Sequence, residues 1–131
     1  MPPDALTGMR ILVVDDSADT VEMLRHLLEM DGAMVTTAAG GPEALEILET
    51  ADFDVILSDI SMPGMDGFEL LKRLRKLPNG EAVPVLALTG FGRVEDVDRA
   101  QAEGFYSHIT KPVDVGAIVA TLQKLPARAR R

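Results

Sequence analysis

The chain contains no cysteine and no tryptophan, and its only aromatic residues are one tyrosine and four phenylalanines among 131 residues. Without cysteine there is neither a disulfide framework nor a thiolate site, a composition that fits a reducing cytosol. No apolar run approaches the roughly 18 residues that a spanning helix needs. The opening MPPDALTGMR also lacks the charged and apolar regions of a secretory signal. The expectation is a soluble, cytoplasmic domain with no membrane insertion. Positive charge is scarce as well: 13 Lys and Arg stand against 21 Asp and Glu, a net charge of −8. Such a balance repels phosphate backbones and anionic lipid, which disfavours direct nucleic-acid binding and favours cations and basic partner surfaces. Nor does a G-x-G-x-x-G follow the first apolar run, so Gly40-Gly41 reads as a turn or helix cap and not as a phosphate loop.

What is present is an alternation. The β-branched apolar runs RILVVDD, AMVTTAA, FDVILSD, VPVLALTG and FYSHITKP read as five strands. Between them, Val21, Leu24, Leu27 and Leu28 fall at helical offsets, as do Ala44, Leu45 and Leu48, then Phe68, Leu71 and Leu74, then Val94, Val97 and Ala102. A last helix runs through Val115, Ile118, Val119 and Leu122. His26 falls on a helix flank, and the methionines at 23, 30, 34, 62 and 65 read as core filler or loop packing. At this length one domain is expected, burying about two-thirds of its unfolded surface. Strand then helix, five times over, predicts an α/β flavodoxin-like three-layer sandwich around a parallel sheet. The runs ILVV, VIL and VLAL are continuously apolar, as central parallel strands are, whereas MVTT and FYSHIT mix in polar residues and read as edges. Right-handed crossovers then give the strand order 2-1-3-4-5.

Four of the five candidate strands carry a polar group at the carboxyl end: Asp15 and Asp16 after VV, Asp59 after VILS, Thr89 after LAL, and Lys111 after HIT. In a parallel sheet those ends share one rim, and ligands bind in the crevice there. Two carboxylates about 4 Å apart repel by roughly 4 kcal/mol at an effective dielectric near 20. Three therefore call for positive charge, which a divalent ion and Lys111 together would balance. An all-oxygen cluster of this kind suits Mg²⁺. An aspartate held beside a metal and an ammonium can attack a phosphoryl group, and Thr89 would donate its hydroxyl to a phosphoryl oxygen. Other readings of the same residues are a helix N-terminal charge pair for Asp15 and Asp16, a helix-capping hydroxyl for Thr89, and a solvated edge charge for Lys111.

Taken together, VVDDS, DISMPGMDG, LTG and TKP make the chain resemble the receiver domain of two-component response regulators over about residues 9 to 125. That leaves 1–8 as an N-terminal tail and 126–131 as a basic tail or the start of a linker. The resemblance implies a phosphoacceptor switch whose only chemistry is its own phosphorylation and dephosphorylation, with Asp59 taking the phosphoryl group from a kinase phosphohistidine. It also implies Mg²⁺ bound by Asp16, Asp59 and the Ser61 carbonyl, with Asp15 acting through water, and Thr89 and Lys111 binding the phosphate. Ser61 and Phe91 would tune hydrolysis, and the Lys111-Pro112 bond would be cis. The implied partners are a histidine kinase or histidine phosphotransfer protein, and an output partner on the face made by the fourth helix, fifth strand and fifth helix. The sequence departs from the pattern at Gly90, where an alanine or serine is usual, and at His108, where an aromatic is usual. The expectation is that His108 turns inward in its neutral form on phosphorylation. The string GFYSHITKPVD resembles receivers fused to hybrid histidine kinases more than those that precede winged-helix domains. The alternative function is a metal-dependent phosphohydrolase with an aspartate nucleophile. A haloacid-dehalogenase-like pattern would need a second acid where Ser61 stands.

Overall fold

A computed structural model describes residues 6–90 and 94–125. Five strands, β1 (Arg10–Val14), β2 (Met34–Ala38), β3 (Val55–Asp59), β4 (Val85–Thr89) and β5 (Ser107–Thr110), alternate with five helices. These are α1 (Ala18–Met30), α2 (Gly41–Leu48), α3 (Gly67–Leu74), α4 (Val94–Glu103) and α5 (Val115–Gln123), with one 3-10 turn at Pro78–Gly80. All strand pairs are parallel, and the order is β2-β1-β3-β4-β5, as the apolar runs predict.

Because side chains alternate across a strand, the sheet divides the interior into two cores. Leu12, Val14, Ile56, Val85 and Ala87 point to one side, where Ala44 and Leu48 of α2, the apolar face of α3 and Ala100 of α4 cover them. Ile11, Val13, Val55, Leu57, Leu86, Leu88 and Ile109 point to the other, under Val21, Leu24 and Leu28 of α1 and Ile118, Val119 and Leu122 of α5. All five residues of β3 and of β4 are buried, while β2 and β5 are partly exposed, which explains their polar admixture.

The helices begin where side chains can satisfy their free N–H groups. Ser17 Oγ accepts from Thr20 N–H at 3.3 Å, Asp66 Oδ1 from Glu69 N–H at 2.8 Å, and Asp114 Oδ1 from Gly116 N–H at 2.9 Å. Gly40 is the N-cap of α2, in keeping with the turn-or-cap reading. Thr89, by contrast, is the last residue of β4 and stands well ahead of α4, so it does not cap that helix.

Two apolar assignments change. Met23, Met30 and Met34 are exposed at 42%, 61% and 60% and fill no core, whereas Met62 is buried and Met65 packs against the α2–α4 core. Met23 and Met30 sit on α1 well round from Val21, Leu24 and Leu28, and Met34 opens an edge strand. In α4 the buried alanine is Ala100, one turn from Val97, and Ala102 is exposed, since 102 falls roughly 140° round the helix from 97.

The exit from β3 is fixed by a close backbone contact. Gly67 N–H donates to Ile60 O at 3.1 Å, and a Cβ on Gly67 would lie 2.6 Å from the Asp59 carbonyl oxygen and 2.7 Å from Ile60 Cα. Only a residue without a side chain lets α3 start this near the strand that ends on Asp59. Gly67→Ala is expected to cost about 1–3 kcal/mol and to lower the thermal midpoint by roughly 5–10 °C, read by circular dichroism. Gly116→Ala, whose Cβ would meet only Asp114 Oδ1 at 3.2 Å, should shift it far less. Equal midpoints for the two variants would contradict this account.

Candidate functional site

Strand register brings the predicted groups to one rim. Val14 pairs with Ser58, Asp59 with Leu88, and Thr89 with Thr110, so Asp15, Asp59, Thr89 and Lys111 all leave the sheet at adjacent carboxyl ends. Lys111 N–H donates to Thr89 O at 2.7 Å, fastening the fifth strand's exit to the fourth. The Lys111-Pro112 bond is cis, as the resemblance implies.

Three carboxylates converge. Asp15, Asp16 and Asp59 each present an oxygen within 4.8 Å of the others. Asp15 and Asp59 are 1% and 5% exposed, while Asp16 faces solvent. Local backbone orients the buried pair: Ser17 N–H donates to Asp15 Oδ1 at 2.9 Å, and Ser61 N–H to Asp59 Oδ1 at 3.2 Å. The Lys111 ammonium lies 3.0 Å from Asp15 Oδ2 and 3.3 Å from Asp59 Oδ2, so one cation bridges two of the three acids.

The electrostatics follow from crowding. Burial pushes the Asp59 carboxyl above the usual carboxylate range, and the Asp15 charge pushes it further; the Ser61 N–H and the Lys111 charge oppose them without cancelling them. Burial alone would lower the Lys111 ammonium, but contact with Asp15 and the charges of both acids outweigh it, and its pKa is raised. One ammonium against three carboxylates leaves two negative charges uncompensated, an oxygen-rich arrangement that can hold a hard divalent cation.

Thr89 is wholly buried, and its hydroxyl has no hydrogen-bond partner among the described residues. Such a group ordinarily costs about 1–3 kcal/mol if it stays unsatisfied. Gly90 follows it, half-buried, and Ser61 is exposed beside Asp59. His108 is not gathered into this cluster: it sits exposed on β5 opposite Ala87. His26 is exposed on α1, as expected of a flank residue. Phe91 lies outside the described residues. Sequence reasoning passed over Asp54, a buried acid at the opposite end of β3. Its Oδ2 accepts from Arg10 N–H at 2.8 Å, and its own N–H donates to Arg10 O at 2.8 Å, a structural tie between β1 and β3. The signal for it was faint, an acid one residue ahead of an apolar run.

Among the described residues no helix is long and apolar enough to cross a membrane. The family model for the response regulator receiver domain matches residues 11–123. The chain is 47% identical over 119 residues to an uncharacterised 14.6 kDa protein of Leptolyngbya boryana, covering 91% of each. It is 36% identical over 128 residues to the sensor histidine kinase RcsC of Salmonella typhi, covering 98% of this chain but only 13% of that one. Among solved structures, the chemotaxis protein CheY4 of Vibrio cholerae superposes with a TM-score of 0.83 at 37% identity, over 90% of this chain and 98% of the other. A fold, a crevice and a family match that agree along nearly the whole length leave one assignment: the chain belongs to the response regulator receiver domains of two-component signalling.

Proposed function

We propose that Asp59 is the phosphoacceptor of this receiver and that its phosphorylation by a histidine kinase or histidine phosphotransfer protein switches the affinity of an output partner. The observation that carries this reading is the Lys111 ammonium set between Asp15 and Asp59 in a crevice where three carboxylates meet. In the transfer, an Asp59 oxygen attacks phosphorus, the bond from phosphorus to the donor's imidazole nitrogen breaks with its electron pair going to that nitrogen, and the donor ring, already protonated on its other nitrogen, leaves as neutral imidazole. Lys111 stands where a phosphoryl oxygen on Asp59 would need a counter-charge. The unsatisfied Thr89 hydroxyl is a donor for another such oxygen. Asp16, Asp59 and the Ser61 carbonyl would hold Mg²⁺, with Asp15 acting through water. The ion would offset charge on the transferring oxygens. Ser61, two residues after Asp59, and Phe91, two residues after Thr89, would tune the lifetime of the phosphate.

The phosphohydrolase alternative receives no support from the site. Ser61 stands where a second acid would act, and it offers its backbone N–H to Asp59. The chemistry assigned to the chain is therefore acceptance and loss of its own phosphoryl group. The absence of cysteine and of a spanning helix among the described residues fits a cytoplasmic setting.

Phosphorylation acts by population shift. Moving an equilibrium from 1:99 to 99:1 takes about 5.5 kcal/mol, within reach of the two or three charge-assisted contacts available from Thr89, Lys111 and the metal. Gly90 and the loop it opens would carry the change toward α4, β5 and α5, the proposed output face. His108 would rotate from its exposed position into the space beside β4. A beryllofluoride-bound structure with His108 still exposed would exclude that rotation.

Incubation with acetyl phosphate and Mg²⁺ should add about 80 Da, one phosphoryl group, to the intact mass. The adduct should be absent in Asp59→Asn and much reduced in Lys111→Ala. Sustained turnover of many phosphate esters would instead favour the hydrolase. A second test uses the crowding itself. Because Asp59 holds its proton more readily folded than unfolded, its contribution to stability is full below the ordinary carboxylate range and is lost as pH rises through its raised value. In EDTA at neutral pH, Asp59→Asn should therefore melt roughly 2–5 °C above the parent, the gap opening across that interval, and Mg²⁺ should raise the parent more than the variant. A parent that melts above the variant in EDTA would refute the charge-crowding account.

A further inference from the structure

Among the described side chains of the helix that follows Thr89, apolar packing is slight. Only Ala100 of α4 is buried there; Glu95, Asp98, Arg99, Gln101 and Ala102 are exposed, and Val97 and Glu103 are intermediate. A charged stack also grips the helix. The Arg99 guanidinium carbon lies 3.9 Å from the centroid of the Phe68 ring, and Phe68 in turn meets Phe105 edge-on at 5.8 Å and 88°. One turn on, Glu103 Oε2 accepts from Arg99 Nε, which orients the guanidinium, while Glu103 Oε1 is buried with no hydrogen-bond partner among the described residues. A cation over an aromatic face, flanked by a carboxylate, is a directional contact; a shifted ring loses it.

The position of Phe68 gives the stack its meaning. It is the second residue of α3, directly after Gly67, whose N–H bonds to Ile60 O and which approaches the β3 exit so closely that an added Cβ would clash with Asp59 O and Ile60 Cα. A shift of the strand end bearing Asp59 is therefore passed to the first turn of α3 and the Phe68 ring through that hydrogen bond and close approach. This route runs through the β3 exit and not through Thr89. It also bypasses Gly90, which has no side chain to push with, and His108, which is exposed on the sheet edge.

We infer that Arg99 is a positioning residue that couples the state of Asp59 to α4 through Phe68. Resting on the assignment of Asp59 as phosphoacceptor, the coupling has two arrangements: the guanidinium stacked on Phe68 in the unphosphorylated chain, and displaced from it once a phosphoryl group has shifted the β3–α3 connection. Release of the stack removes one directional contact on α4 and loosens the helix.

Hydrogen exchange of the full chain tests this, with the α4 amides followed with and without acetyl phosphate and Mg²⁺ and the intact mass of each sample recorded in parallel. In the parent, phosphorylation should speed α4 exchange by about fivefold or more. In Arg99→Ala, α4 should already exchange fast without phosphate, and the further change on phosphorylation should fall below about twofold, although the phosphoryl adduct still forms. Phe68→Leu, which keeps an apolar side chain in the core but removes the aromatic face, should behave like Arg99→Ala, and Arg99→Lys should restore part of the response. A merely structural role for Arg99 would accelerate α4 equally in both states and leave the ratio as in the parent. That outcome, with the adduct present, overturns the coupling while sparing Asp59. Absence of an adduct in the parent itself overturns the phosphoacceptor assignment and the coupling with it.

Discussion

The arrangement depends on one ammonium placed between two buried acids. Asp15 and Asp59 leave neighbouring strands at the same level and are nearly devoid of solvent, so their mutual repulsion is screened by little except Lys111. The ion pair is no ornament of the surface, where such pairs are worth little; it holds together a crevice that its own charge pattern drives apart. It also leaves the crevice short of positive charge, and that shortfall prepares it to accept a divalent ion. The proposed phosphorylation would then take place in a site already furnished with the Lys111 ammonium and the Thr89 hydroxyl.

The sheet is what makes such a meeting possible. Residues separated by more than 90 positions in sequence, Asp15 and Lys111, come within 3.0 Å because every strand ends on the same side. The burial and parallel pairing of the three central strands keep that rim in register, and small residues let the connections pass close to it. Gly67 is the clearest instance, since its missing side chain is the condition for α3 to start against the acceptor strand. Binding geometry and fold stability are thus two readings of the same packing.

Most of this was legible in the primary structure. Continuous apolar runs mark central parallel strands, mixed runs mark edges, and acids at strand ends can only converge once the sheet is parallel, so strand order and the Asp15, Asp16, Asp59 and Lys111 cluster follow from pattern alone. Less visible was anything decided by a tertiary neighbour. The spacing of Arg99 and Glu103 announces an ion pair along a helix, but nothing local places Phe68 beneath the guanidinium. Asp54, near the start of the run FDVILSD, shows no partner until β1 is laid beside it. Ala100 and Ala102 differ in burial by their angle round α4, which a short helix with few large apolar residues encodes poorly.

The exposed methionines of α1 and β2 carry a consequence of their own. Met23, Met30 and Met34 lie open to solvent, whereas Met9 and Met62 are buried, at 2% and 7% exposure. Peroxide reaches the first group without any opening of the fold, and conversion of a thioether to its sulfoxide there adds a polar oxygen where water already stands. Oxidation of these three would therefore cost the interior little, on a chain whose sequence has no thiol to compete for the oxidant.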